Sequence, residues 1–330
     1  MGLLTIEIVG DEVNILVTGG AGFIGSNYVE FVLTQDPKVE RVVVFDNFSY
    51  AANKKNLINW TDDPRFSLIR GDITKESEVR DALRGITHVV HFAAESHVDR
   101  SINTPTLFSY VNSFGSAVLF EESFRARISR FLHVSTDEVY GSIEDGSFSE
   151  SNVLNPSSPY SASKAASDLL AMSYFQTFGF NISVTRCTNN YGKYQFPEKL
   201  IPLFISRLSN GDQIPIYGDG KNVRDWIHVT DHVRGIHKAL LQGRAGEIYN
   251  FSGGNEVSNL VIAQKLLNYF GLSTDYIQYI EDRAGHDFRY SVDASKSANE
   301  LSFKPKIEFE DGLKQTIDWY VEHKDWWEKN

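Results

Sequence analysis

Six short apolar runs recur along the first half of this chain, at residues 14–18, 41–45, 66–69, 88–92, 131–135 and 182–185, with helix-like stretches between them. The run at 41–45 is rich in β-branched residues, and the runs at 14–18 and 41–45 lack polar alternation. A strand that alternates apolar and polar positions shows one face to water, whereas an unbroken apolar run is covered on both faces. The pattern therefore predicts a parallel sheet with helices on each side, a doubly wound α/β fold. From about Cys187 the rhythm changes. Pro197, Pro202 and Pro215 punctuate shorter elements, and helical periodicity returns at residues 231–241, 259–270 and 311–323. A smaller, irregular α/β region is expected there, with some segments returning to the main sheet. Trp319, Trp326 and Trp327 read as packing in the aromatic tail.

Composition narrows the possibilities. The formal net charge of −11 repels polyanions, so any phosphate must be held by cations gathered locally, and no nucleic-acid partner is expected. Cys187 is the one cysteine, which excludes an intrachain disulfide and leaves no expectation of a metal site. No apolar run approaches the ~20 residues that span a bilayer. Glu7, Asp11 and Glu12 are unlike a signal peptide, and Ile6 stands where a lipidation signal wants Ser or Thr. The expectation is a cytoplasmic protein with no membrane partner. The triplets at Asn47, Asn59 and Asn181 read as chance.

Gly19, Gly22 and Gly25 follow the first apolar run and open a helical pattern through Val29, Phe31 and Val32. Glycines there permit a tight turn and close backbone approach to a pyrophosphate, which the helix N-terminus can hold. Asp46 ends the second run, where a carboxylate can bond ribose hydroxyls and repel a 2′-phosphate. That favours NAD over NADP, with Lys54 and Lys55 nearby in sequence as the counterweight.

Two further clusters carry chemistry. Tyr160 and Lys164 stand four apart in a helical segment, so they share a face, and an ammonium beside the phenol is expected to lower its pKa and make it a base. Thr136, Asp137 and Glu138 close the fifth run at its carboxyl end, where doubly wound sheets place their chemistry. Two carboxyls in one site can be driven into different protonation states, supplying an acid and a base together. Read alone, the triplet would also serve as a helix cap.

The spacing of Gly19, Gly22 and Gly25 resembles the extended short-chain dehydrogenase/reductase family, over nearly the whole chain after residue 13. The resemblance implies a Rossmann NAD-binding domain over residues 1–186, with 226–251 returning to it. Residues 187–225 and 252–330 would bind a nucleotide sugar. It implies cofactor contacts from Phe23 and Ile24 in the turn, from Asn47, Ser49, Tyr50 and Ala51 after Asp46, and from Asp72 and Ile73. Phe92, Ala93, Ala94 and Ser96 would run beside the nicotinamide ribose, with Val111, Asn190, Tyr160 and Lys164 completing the site.

Thr136-Asp137-Glu138 and residues 93–102 are similar to the family's nucleotide-sugar 4,6-dehydratases of the dTDP-glucose branch. There Asp acts as general acid, Glu as general base, Tyr160 as the base toward the C4 hydroxyl, and Thr136 as its orienting partner. Substrate contacts are implied for Ser96, Thr136, Asn189, Lys199 and Leu200, for Pro215, Tyr217 and Arg224, and for Asn259, Arg283 and His286. The resemblance further implies a homodimer formed through the Tyr160 helix and the helix over residues 106–124. Two alternatives stand beside this reading: epimerisation or decarboxylation of a nucleotide sugar, and an idle NAD-binding scaffold. Lys193 and Ala284 depart from the branch, which has proline at both places.

Overall fold

The computed structural model describes residues 12–282 and 285–328. The expectations resting on residues 2–11, on Arg283 and on Ala284 lie outside them. Strands β1 (Val13–Thr18), β2 (Val39–Asp46), β3 (Phe66–Arg70), β4 (His88–His91), β5 (Arg130–Thr136) and β6 (Ile182–Cys187) fall on the six apolar runs. Later in the chain come β7 (Asn189–Tyr191), β8 (Ile214–Tyr217), β9 (Val223–His228), β10 (Ile248–Phe251), β11 (Glu256–Ser258) and β12 (Ile277–Ile280), all but β10 in a second lobe.

The main sheet has seven parallel strands in the order β10-β6-β5-β4-β1-β2-β3. Why it is sandwiched is visible residue by residue. Ile15, Val17, Val42 and Val44 pack into a cluster on one face, whereas Leu16, Val43 and Phe45 pack into another on the opposite face. Neighbouring residues on a strand point opposite ways, so a sheet with two cores needs an apolar residue at every position. β1 lies between β2 and β4, and the chain crosses to opposite sides on leaving it. A crevice opens at such a reversal, beyond the carboxyl ends of the strands.

The second lobe holds a third apolar cluster, with Tyr191, Phe204, Trp226, Leu266 and Tyr320 at its centre. β11, β9 and β7 form one small sheet there, and β12 with β8 another. The expected helices appear as Val229–Gln242, Asn259–Phe270 and Phe309–Glu322. β10 follows the first of them and pairs with β6, so this late segment extends the main sheet. Trp319 packs edge-on to Tyr194, and the Trp326 indole donates to Asn56 Oδ1 at 2.7 Å. The tail therefore fastens the second lobe to the first.

Candidate active site

The glycine turn is dictated by contact distances. Gly19 has φ +68°, and a Cβ added there would stand 2.7 Å from the Ala93 nitrogen on the neighbouring strand's exit. A Cβ on Gly25 would meet the Gly19 carbonyl oxygen at 2.3 Å, so only glycine lets helix Phe23–Gln35 start this close to β1. Gly22 is the N-cap and no side chain caps this helix, which leaves its first-turn N–H groups facing the cleft. Asp46 is buried, accepting from the Ala21 N–H at 2.9 Å and the Phe48 N–H at 2.8 Å. Burial raises its carboxyl pKa, against the pull of those two donors. A turn without side chains, an uncapped helix N-terminus and a carboxylate at the end of β2 fit a dinucleotide.

The cleft above this turn encloses about 1220 Å³, including its open mouth. Its wall contains Gly19, Gly22, Phe23, Ile24, Gly25, Asp46, Asn47, Ser49 and Ala51. Ile73, Phe92, Ala93, Ala94, Ser96, Val111, Tyr160, Lys164 and Lys199 line it as well. Three expected neighbours of the cofactor are turned elsewhere. Tyr50 donates to Glu198 Oε1 at 2.9 Å with Arg100 stacked 3.6 Å over its ring. Asp72 caps Thr74, and Asn190 Oδ1 accepts from His232 Nδ1 at 2.8 Å. Lys54 lies over the Phe48 ring and Lys55 donates to the Asp325 carbonyl at 2.9 Å, so each lysine near Asp46 is engaged.

Sequence reasoning passed over Glu95, Gln195, Phe196 and Glu198, which also line the cleft. The Glu95 backbone is held on both sides by Asn112, whose Oδ1 accepts at 2.8 Å and whose Nδ2 donates at 2.9 Å. Asn112 also donates to Ser163 Oγ at 2.9 Å, linking that loop to the Tyr160 helix. It sits in a π-helical segment, Ser109–Gly115, inside the otherwise α-helical run over residues 105–125. Nothing in the spacing foretold this widened turn.

Helix Pro159–Phe178 begins with Pro159 at its first position and a capping box between Ser158 and Ser161, and Gly179 in the left-handed region ends it. That fixes Tyr160 in the first turn. Lys164 is buried one turn later and donates to the Val134 carbonyl on β5 at 2.8 Å. Burial pulls its pKa down to about 8, opposed by Asp168.

On β5's exit, Thr136 Oγ accepts from the Glu138 N–H at 3.2 Å and its hydroxyl donates to Asp137 Oδ1 at 3.2 Å. The triplet is thus both a cap for the 3₁₀ turn Asp137–Tyr140 and a chemical group. Asp137 is buried, and its Oδ2 has no hydrogen-bond partner among the described residues. Burial, then Glu138 and Asp225, push its pKa well above the ordinary value, which favours its neutral acid form. Glu138 remains partly exposed.

The phenol of Tyr160 behaves differently from expectation. Burial, then the negative charge of Glu138, drive its pKa well above the ordinary value, and its hydrogen bond with Thr136 only partly offsets this. Lys164 alone does not bring the phenol into a basic range. The main reason is the burial of the phenol, to which the carboxyls of Glu138 and Asp137 add a repulsion of the phenolate that the spacing of Tyr160 and Lys164 could not reveal.

Across the cleft, Arg224 is buried, stacks 4.4 Å over the Tyr290 ring and donates to the backbone carbonyls of Val223, Asp287 and Phe288. It acts on Asp137, and Glu138 acts on Tyr290, so the second lobe faces the triplet. Lys199 donates to the Ser96 carbonyl at 2.7 Å, and Leu200 starts helix Leu200–Ser209 beside it. Tyr217 donates to Asp99 Oδ2 at 3.3 Å and packs edge-on to His286, while Pro215 shares its strand. Asn189 pairs with Trp226. Asn259 Oδ1 is buried with no partner among the described residues. Lys193, where the branch has proline, is held by Glu30 at 2.7 Å.

Comparison with known proteins agrees with this geometry. The profile of the GDP-mannose 4,6 dehydratase family matches residues 16–316. A dTDP-glucose 4,6-dehydratase from Actinoplanes sp. is 50% identical over 317 residues, covering 95% of this chain and 99% of that protein. The crystal structure of DesIV, a dTDP-glucose 4,6-dehydratase from Streptomyces venezuelae with NAD and TYD bound, superposes with a TM-score of 0.94. It is 48% identical, covering 96% of this chain and 99% of that one. A UDP-glucose 4-epimerase from Thermotoga maritima is more distant, with a TM-score of 0.87 and 28% identity over 94% of this chain and 99% of its own.

Proposed function

The chain belongs to the GDP-mannose 4,6 dehydratase family, and on that premise we propose that it is an NAD-dependent hydro-lyase converting dTDP-glucose to dTDP-4-keto-6-deoxyglucose and water. One observation carries the reading: two adjacent carboxyls in different environments, Asp137 buried and neutral, Glu138 partly exposed, beside Tyr160 and Lys164. An epimerase needs no second proton donor; an elimination does.

NAD bound over the glycine turn supplies the redox chemistry, taking two electrons from C4 of the sugar and returning them to C6. The chain's own groups handle protons. Tyr160, as a phenolate once the positive charge of bound NAD offsets its burial, would receive the C4 hydroxyl proton, with the Thr136 hydroxyl fixing the orientation. The resulting C4 ketone acidifies the C5–H, which an unactivated sugar would never surrender to a carboxylate. Glu138 takes that proton, Asp137 gives its own to the C6 hydroxyl, and water leaves; as the hydride arrives at C6, Glu138 returns its proton to C5 and completes the product. Arg224 and Lys199 supply positive charge for the diphosphate, in a protein whose net charge would otherwise repel it.

The chain works as a homodimer. Tyr110 and Phe114 stack at 5.3 Å and are each 47% exposed, with Phe124, Leu169 and Phe178 also exposed on the same two helices. A patch of this kind is costly to leave in water. No helix of the described residues is long and apolar enough to cross a membrane, and the one cysteine is a buried free thiol, in keeping with a reducing cytoplasm.

The test is dTDP-glucose deuterated at C4, given to the purified enzyme with no added oxidant. The product should have lost one water and carry the label in its new methyl group. Label lost to solvent, or retained at C4, would refute the mechanism.

A further inference from the structure

Tyr160, Lys164 and Asp168 follow one another at four-residue intervals on helix Pro159–Phe178, so all three lie along one face. Asp168 takes no part in the proton transfers above, yet it is buried to 1% exposure. Its Oδ2 accepts from Arg186 Nε at 2.8 Å, and His133 Nε2 lies 3.4 Å from its Oδ1. Arg186 is equally buried, on β6, with its guanidinium 4.7 Å over the Tyr140 ring. An ion pair this deep is seldom kept for stability alone, because desolvation offsets most of its attraction.

We propose that Asp168 is a positioning residue for the reaction, the fixed anion that keeps the Lys164 ammonium charged beneath Tyr160, with Arg186 keeping Asp168 ionised in turn. This rests on the reading of Tyr160 and Lys164 as the catalytic pair.

The groups around Lys164 leave Asp168 that role. On β4 and β5, His91 and His133 are both buried and stay neutral, their imidazolium forms disfavoured by burial and by Lys164 itself. On β6, burial keeps the Cys187 thiol protonated. Asp168 is the charged group that most opposes the desolvation of Lys164. Arg186 and the His133 contact outweigh burial and hold Asp168 far down, at about 2, so it is an anion throughout the working range. The groups whose charge acts most on Tyr160 are Glu138, then Cys187 and Asp137, not Asp168. Asp168 therefore reaches the phenol through Lys164.

The experiment is the pH profile of kcat/KM for dTDP-glucose turnover in wild type, Asp168→Asn and Asp168→Glu, with the NAD content of each measured. Without the anion Lys164 loses its proton at lower pH and Tyr160 then holds its own more tightly. The alkaline limb of the Asp168→Asn profile should move acid by about one unit, roughly a tenfold loss above the wild-type limit. Asp168→Glu should restore most of it. In a Lys164→Arg background, where the charge is permanent, Asp168→Asn should leave the profile in place. A uniform loss at every pH, or an equal shift in the Lys164→Arg background, overturns the proposal. If Asp168→Asn does not fold, Asp168→Asn/Arg186→Gln removes both charges and leaves neither buried alone; it should show the same shift. Failure of both to fold, with Asp168→Glu showing no recovered activity, would mark the pair as purely structural. If instead wild type shows no dehydration at all, the catalytic reading fails before Asp168 is tested.

Discussion

Lys164 Nζ stands 2.8 Å from the carbonyl oxygen of Val134, two residues before the Thr136-Asp137-Glu138 triplet. That one bond joins the helix carrying Tyr160 to the strand carrying both carboxyls, and so sets the spacing between the alcohol-side base and the elimination pair. Its donor is a buried ammonium whose pKa is pulled down to about 8.

A pH limit follows from that value. Below about 8 Lys164 is charged; above it the ammonium is lost and Tyr160 loses its cationic neighbour. Turnover measured across pH 6–10, an interval spanning roughly two units either side, should decline on the alkaline side with an apparent pKa near 8. Lys164→Arg should remove that decline while lowering the overall rate.

Asp137→Asn should lower turnover by about 10²-fold or more, the range typical of a general acid, while oxidation at C4 persists. Build-up of the 4-keto hexose before dehydration is the readout, and equal loss of both steps would argue against the assigned role. The same variant should be more heat-stable than wild type at neutral pH. A carboxyl whose folded pKa is raised destabilises the fold once pH exceeds its unfolded value, and this penalty disappears in acid. Thermal unfolding at neutral pH and near pH 3, roughly the unfolded value or below it, should therefore show the difference shrinking.

Gly25→Ala places a Cβ 2.3 Å from the Gly19 carbonyl and 2.8 Å from the Gly20 Cα. Backbone cannot give way cheaply, so overpacking should destabilise by about 1–3 kcal/mol. The protein should also be recovered with little NAD, as read by the absorbance and mass of the released nucleotide.

Phe114→Glu should shift the protein toward monomer in sedimentation equilibrium. The ring is 47% exposed in the single chain and stacked on Tyr110, so a charge there costs little in the monomer and much at a buried interface.

Several elements were legible in the chain itself, each for a local reason. Ile15 to Val17 and Val42 to Phe45 had to be sandwiched because adjacent apolar residues face opposite cores. Gly19, Gly22 and Gly25, with Asp46 after the next strand, marked the dinucleotide end because backbone freedom and close approach require glycine there. Tyr160 and Lys164 announced themselves by helical spacing. Other features depend on contacts between segments far apart in sequence. The raised pKa of Tyr160 follows from its burial between segments and from Glu138 and Asp137 arriving beside it at the end of β5. Asn112 braces Glu95 and Ser163 through a π-turn that no periodicity encodes. Asp168 meets Arg186 from the next strand of the sheet. Periodicity and glycine spacing report what one segment requires of its own backbone and faces. Protonation states and buried ion pairs are set by distance and dielectric between segments, and only the folded chain fixes those.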